Sequence, residues 1–136
     1  MNSSPELIEA YKNARYHYRF QGRWWALHHG EHLSALPLPP ATHAAAFITA
    51  MNPRSHVLSE HANQLRQREL IKWLSQRQQR YLPARSTDPD NSWPIEYGVI
   101  WLNPTPNQLQ QTLTQFQQHA ALASFGDHFS LIINTD

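Results

Sequence analysis

Tyr97-Gly98-Val99-Ile100-Trp101-Leu102 is the stretch on which the fold turns, an unbroken run of β-branched, aromatic and aliphatic residues around one glycine. It reads as the strongest strand in the chain. Upstream, Asp88-Pro89-Asp90-Asn91 carries turn chemistry. Before that, Tyr81-Leu82-Pro83-Ala84 is expected to be an edge strand, because Pro83 lacks a ladder donor. Downstream, Thr105-Pro106 starts a helix whose apolar positions Leu109, Leu113, Phe116 and Ala120 fall at spacings of 4, 3 and 4. Its other face is glutamine, from Gln108 to Gln118, without charge. Gly126 ends this region, and Phe129 to Ile133 reads as a last strand.

Further upstream, Ala45-Ala46-Phe47-Ile48-Thr49-Ala50 is a short apolar run ended by Asn52-Pro53, which reads as a buried strand. Ser59 is an N-cap for a helix expected to reach Arg80, with Ala62, Leu65, Leu70, Trp73 and Leu74 as its apolar stripe. The order over residues 44–136 is thus β-α-β-β-α-β, so an α+β, ferredoxin-like sandwich is predicted, with two helices over one face of a four-stranded antiparallel sheet. Residues 1–43 add an N-terminal extension within the same single domain. Ser4, Pro5 and Glu6 mark a helix over about 5–14, and two aromatic runs around Gln21-Gly22 mark a β-hairpin. Residues 30–43, with Pro37, Pro39 and Pro40, form a linker loop. The second sheet face needs cover, from the hairpin or from another subunit.

A chain of 136 residues suits one domain with its own core. It has no cysteine, which excludes a disulfide scaffold, a zinc ribbon and a thiol nucleophile, and fits a reducing, cytoplasmic setting. A net charge of +1 argues against nucleic acid or an anionic membrane as partner, and no apolar run is long enough to span a bilayer. The charge is segregated, however. Residues 54–85 hold seven bases and two acids, whereas after Arg85 there are five acids and no base. Such asymmetry suits head-to-tail homo-oligomers or an anionic ligand on one side, although a solvated basic helix face explains it more simply.

Several motifs bear on chemistry. His28 and His32 have i, i+4 spacing, but Gly30 interrupts them and the zincin order is absent, so solvated or interface histidines are expected rather than a metal site. Phosphate-binding glycine loops and a G-x-S-x-G elbow are missing. The strands expected at the sheet centre, Phe47 to Ala50 and Phe129 to Ile132, lack the aromatic signature of RNA-binding sheets. Glu96 stands out among the acids. It precedes an apolar strand beside Trp93, Pro94, Ile95 and Tyr97, where a carboxylate is either a solvated strand end or a partly desolvated group poised to hold a cation.

Two resemblances follow from these residues. Phe47-Ile48-Thr49-Ala50-x-Asn52-Pro53, Ser55, Asn63, Arg66-Gln67, Leu70, Asp88-Pro89-Asp90, Trp93-Pro94-x-Glu96 and Phe125-Gly126, in that order, resemble a bacterial family known only as a domain of unknown function. Asp127 departs from that family, which usually has glutamine there. The layout is also similar to the phage-type S-adenosylmethionine lyases, small ferredoxin-like trimers with sites between subunits. The residues carrying this second likeness are Thr49-Ala50, Ser55, Asn63, Arg66, Ser86-Thr87-Asp88, Trp93 and Glu96. It implies a lyase releasing methylthioadenosine and homoserine lactone without a cofactor or metal. Glu96 would be the catalytic group, facing the substrate's cation, with Ser55, Asn63, Arg66, Trp93 and Tyr97 binding substrate and an aromatic ring stacking on adenine. The expectation is therefore a small-molecule-binding, homo-oligomeric domain taking a nucleoside-type ligand. The rival is a non-catalytic module whose Gln-rich helix and basic helix, the latter through Arg66 and Arg77, dock a protein partner.

Overall fold

A computed structural model describes residues 4–136. Among them are three α-helices and a curled, fully antiparallel seven-stranded sheet. Helix α1 (Pro5–Asn13) is capped by Ser4, whose hydroxyl accepts from the Leu7 amide. The hairpin follows as β1 (Arg15–Phe20) and β2 (Arg23–Leu27), then β3 (Ala45–Thr49) and α2 (Glu60–Gln76). Next come β4 (Arg80–Thr87), β5 (Glu96–Leu102), α3 (Pro106–Gln115), β6 (Ala120–Ser124) and β7 (Ser130–Ile133). Strand order across the sheet is β2-β1-β4-β5-β3-β6-β7.

The strand at 97–102 is where expected, but its surroundings correct the sequence reading in four places. The segment around Tyr81–Ala84 is not an edge: β4 lies between β1 and β5. Pro83 is tolerated there because the β1 ladder stops at the Tyr18–Ala84 pair, one residue short of it. Helix α2 ends at Gln76 rather than Arg80, which opens β4. Helix α3 stops at Gln115, where Gln117 turns left-handed (φ 56°) and the Gln118 amide donates back to Leu113. Ala120 is therefore not the end of a helical stripe but the start of β6, and β6 takes the place beside β3 expected of Phe129–Ile133, leaving β7 at the edge.

Alternation along the strands divides the core in two. Ala46, Ile48, Val99, Trp101, Ala121 and Ala123 meet Leu70, Leu74, Leu109 and Leu113 of the helices on one face. The opposite face is covered from within the chain. Tyr16, Tyr18 and Leu27 of the hairpin, with Leu33, Leu36 and Leu38 of the Pro-rich loop, pack against Phe47, Ile100, Leu122 and Phe129. The Tyr18 hydroxyl donates to the Pro37 carbonyl (2.6 Å) and pins the loop there. No helix among the described residues is long and apolar enough to cross a membrane.

Candidate functional site

At the end of the sheet where β3 leaves and β5 arrives, the inner face is roofed by α1 and flanked by the 87–94 loop. Between them lies a cavity of about 380 Å³. Strand parity places Glu96 on this inner face, in line with Gly98 and Ile100, and opposite Ser86 of β4.

The floor is fixed by backbone geometry. Gly98 faces Thr49 across the β3–β5 ladder, so close that a Cβ would stand 2.2 Å from the Ile48 carbonyl oxygen. Thr49 closes the strand end, its hydroxyl donating to the Tyr97 carbonyl (2.8 Å) and accepting from the Met51 amide (3.1 Å). The chain then passes through left-handed, non-glycine residues at Asn52, Arg54 and Ser55 (φ 50°, 53° and 61°). Each such residue costs of order 1 kcal/mol, and persists only where neighbours over-determine it.

Asn52 shows how. Its amide N–H donates to Asn63 Oδ1 (2.9 Å), while its own Oδ1 accepts from Asn63 Nδ2 (2.7 Å) and the Leu58 amide (3.0 Å). This reciprocal pair, buried between the β3 exit and α2, fixes which way the Asn52 amide faces. Its Nδ2 donates to Glu96 Oε2 at 2.8 Å, and the Trp93 indole N–H donates to the same oxygen at 3.1 Å. Oε1 of Glu96 accepts no hydrogen bond within the described chain. Burial pushes the Glu96 carboxyl up from its ordinary range, and the Asn52 and Trp93 donors partly oppose that shift.

Trp93 is delivered by a self-capped loop. Asp88 accepts from the amides of Asp90 (3.0 Å) and Ser92 (3.1 Å) and from the Ser92 hydroxyl, which together hold its carboxyl below the usual range. Roofing the cavity, the Tyr11 phenol is pushed up by burial and then by the charge of Glu96, with Ser55 acting against the shift. Tyr16 beneath donates its hydroxyl to the Tyr11 carbonyl, tying the hairpin to α1.

Of the residues singled out in the sequence, Glu96, Ser55 and Trp93 line the cavity. The other three do not. Asn63 acts one step behind, through Asn52. Arg66 is spent on the backbone, donating to the carbonyls of Ala50 and Phe116 and so joining the ends of β3 and α3. Tyr97 alternates to the opposite sheet face and is 48% exposed. Tyr11 and Asn52 also line the cavity without having been expected at the site, as does Ser86, which carries the lyase likeness but had no role assigned. In the sequence Tyr11 falls at helical spacing from Leu7 and Ile8 and reads as an apolar helix position, and Asn52 reads as the stop of β3. The asparagine before Pro53 was the available clue, since Asn is among the few residues that readily turn left-handed. The His28–His32 segment lies elsewhere, pinned by backbone bonds between Gly30, Glu31 and Phe129, with His32 edge-on to His128 at 5.0 Å. Among the described residues no three His, Asp or Glu side chains gather as metal ligands.

The lining has one electrostatic sign. Glu6, Asp88, Asp90 and Glu96 contribute carboxylates, and no Lys, Arg or His is among the described residues that line it. A family model described as protein of unknown function (DUF3293) matches residues 48–121, from the end of β3 through α2, β4, β5 and α3 to the start of β6. No curated protein and no solved structure matches the chain.

Proposed function

The chain belongs to this family of proteins of unknown function, whose description carries no activity, and from the cavity itself we propose that it binds a small organic cation at Glu96. The carrying observation is the lining: four carboxylates and no base, with one Glu96 oxygen fixed by two donors and the other left open to a ligand. A partly desolvated carboxylate attracts an ammonium or sulfonium group more strongly than a solvated one. Trp93 and Tyr11 add aromatic walls of the kind that cations and flat heterocycles favour.

The finer reading is a lyase acting on S-adenosylmethionine, in an oligomer. Supporting it are the sequence likeness above, a cavity suited to a sulfonium with a nucleoside attached, and the middle strand order β4-β5-β3-β6, which we read as a split ferredoxin-like core. In this reaction the substrate's own carboxylate oxygen attacks its γ carbon. The γ carbon–sulfur bond breaks with its electron pair passing to sulfur, giving neutral methylthioadenosine and homoserine lactone. No proton leaves or enters the protein. The chain's task is to hold the substrate folded for attack, keep water out and anchor its cationic end at Glu96.

The test is incubation of the purified protein with S-adenosylmethionine, following methylthioadenosine by mass spectrometry. Release well above the spontaneous rate, lost in Glu96→Gln with the fold intact, is expected. Release that persists in the variant would remove Glu96 from the mechanism, and no release in the wild type would overturn the lyase reading.

A further inference from the structure

The opposite face of the same sheet carries a different chemistry. Because Tyr16, Tyr18, Ala84 and Ser86 point inward, Arg15, His17 and Arg19 of β1 and Arg85 and Thr87 of β4 point outward. Cross-strand register sets Arg19 beside Trp24, His17 between Ala26 and Arg85, and Arg85 beside Tyr97. Helices α2 and α3 cover this face only from Val99 and Trp101 onward, so Trp24 and Tyr97 remain 39% and 48% exposed.

These arginines are not neutralised among the described residues. Among the described residues Arg15, Arg19 and Arg85 form no ion pair, and no Asp or Glu occupies the outward positions of β1, β2 or β4. Arg19 and Arg85 lie instead against the Trp24 ring, at 5.9 and 4.4 Å from its centroid. Stacking of this kind pre-orients a guanidinium while leaving its outer N–H groups for an anion. The local field is positive: after burial, Arg85, His28 and Arg15 each push the His17 imidazole toward its neutral form. The low whole-chain charge of +1, which argues against nucleic acid in the sequence, conceals this, because four of the ten carboxylates line the cavity on the other face.

We infer that the outward face of β2-β1-β4-β5 binds a short single-stranded nucleic acid, with phosphates on Arg15, Arg19 and Arg85 and a base stacked on Tyr97. Three strand spacings separate the Trp24 strand from the Tyr97 strand, a span of about 14 Å. That matches the two or three nucleotides that an antiparallel sheet face displays. Arginine and aromatic side chains on the face, without lysine, suit a splayed strand, whose bases offer π-faces, better than a duplex, whose bases are stacked away.

Fluorescence anisotropy with labelled oligouridylate tests this against a duplex of equal length and against polyaspartate as a competitor. Three phosphate contacts predict a log–log salt slope of about −2. Arg19→Gln with Arg85→Gln should weaken binding at least about tenfold, and Tyr97→Ala by about tenfold. Circular dichroism confirms that the variants fold, and Gln117→Asn, away from the face, serves as a matched control. Duplex binding as tight as the single strand, equal competition by polyaspartate, indifference to Tyr97→Ala or no binding at about 50 mM salt would each overturn the inference.

Discussion

Glu96 is held half-buried by two donors on one oxygen, and the energetic consequence can be signed. Its folded-state pKa lies above the ordinary 4.5, so over the intervening pH range the native protein holds a proton that the unfolded chain has lost. Stability therefore falls as pH rises through that range, and the full cost of the charge is present above it. Glu96→Gln removes this dependence while keeping an oxygen for the Asn52 and Trp93 donors. Thermal unfolding from about pH 4 to about pH 8 should find the variant more stable than the wild type at the upper end, with the difference shrinking toward the lower end. A variant less stable at every pH would mean that the carboxylate is a structural group. Behind Glu96, Asn63→Ala would leave the buried amide of Asn52 short of partners and cost about 1–3 kcal/mol in denaturant unfolding. Asn63 should also affect ligand affinity more than turnover, because it acts only by orienting Asn52. Glu96 was legible in the sequence from its apolar neighbours. Its partner Asn52 was not, because the residue lies 44 positions away and its function depends on a left-handed turn.

Among the elements, the β3–β5 seam matters most to the site, since it aligns Thr49, Asn52 and Glu96. Gly98→Ala would drive a methyl group into backbone rather than a movable side chain, so the seam must open. A loss of about 3 kcal/mol is expected, accompanied by weakened ligand binding. Native-like stability would show that the ladder can relax locally. The same scale explains where sequence reading failed. Ala120-Ala121-Leu122-Ala123 has good helix formers at a spacing continuous with α3. Yet all five residues of β6 are buried, between two packed faces, where small side chains let β3 and β7 pair on either side. Tertiary burial overrides the local preference, and neither periodicity nor composition records it. Pro83 misled for a related reason: the missing donor marks where one ladder ends, not the edge of the whole sheet.

For the molecule as a whole, a near-neutral chain resolves into two oppositely charged surfaces on one curled sheet, an acidic cavity inside and an arginine face outside. The sequence displayed the segregation of bases and acids along the chain but not their assignment to opposite faces, which depends on strand parity. The helix and hairpin of the first 27 residues were readable from caps and a glycine turn; that they would extend the sheet, cover its inner face and roof the site was not.

The most direct measurement is a calorimetric titration of the wild type and Glu96→Gln with S-adenosylmethionine, alongside S-adenosylhomocysteine, which keeps the nucleoside and ammonium group but lacks the sulfonium charge. An organic cation seated at Glu96 predicts saturable binding to the wild type, weakened at least about tenfold in the Gln variant, and tighter binding of the sulfonium than of its neutral-sulfur counterpart. Equal affinity of the two proteins, or no heat of binding to the wild type, would contradict it.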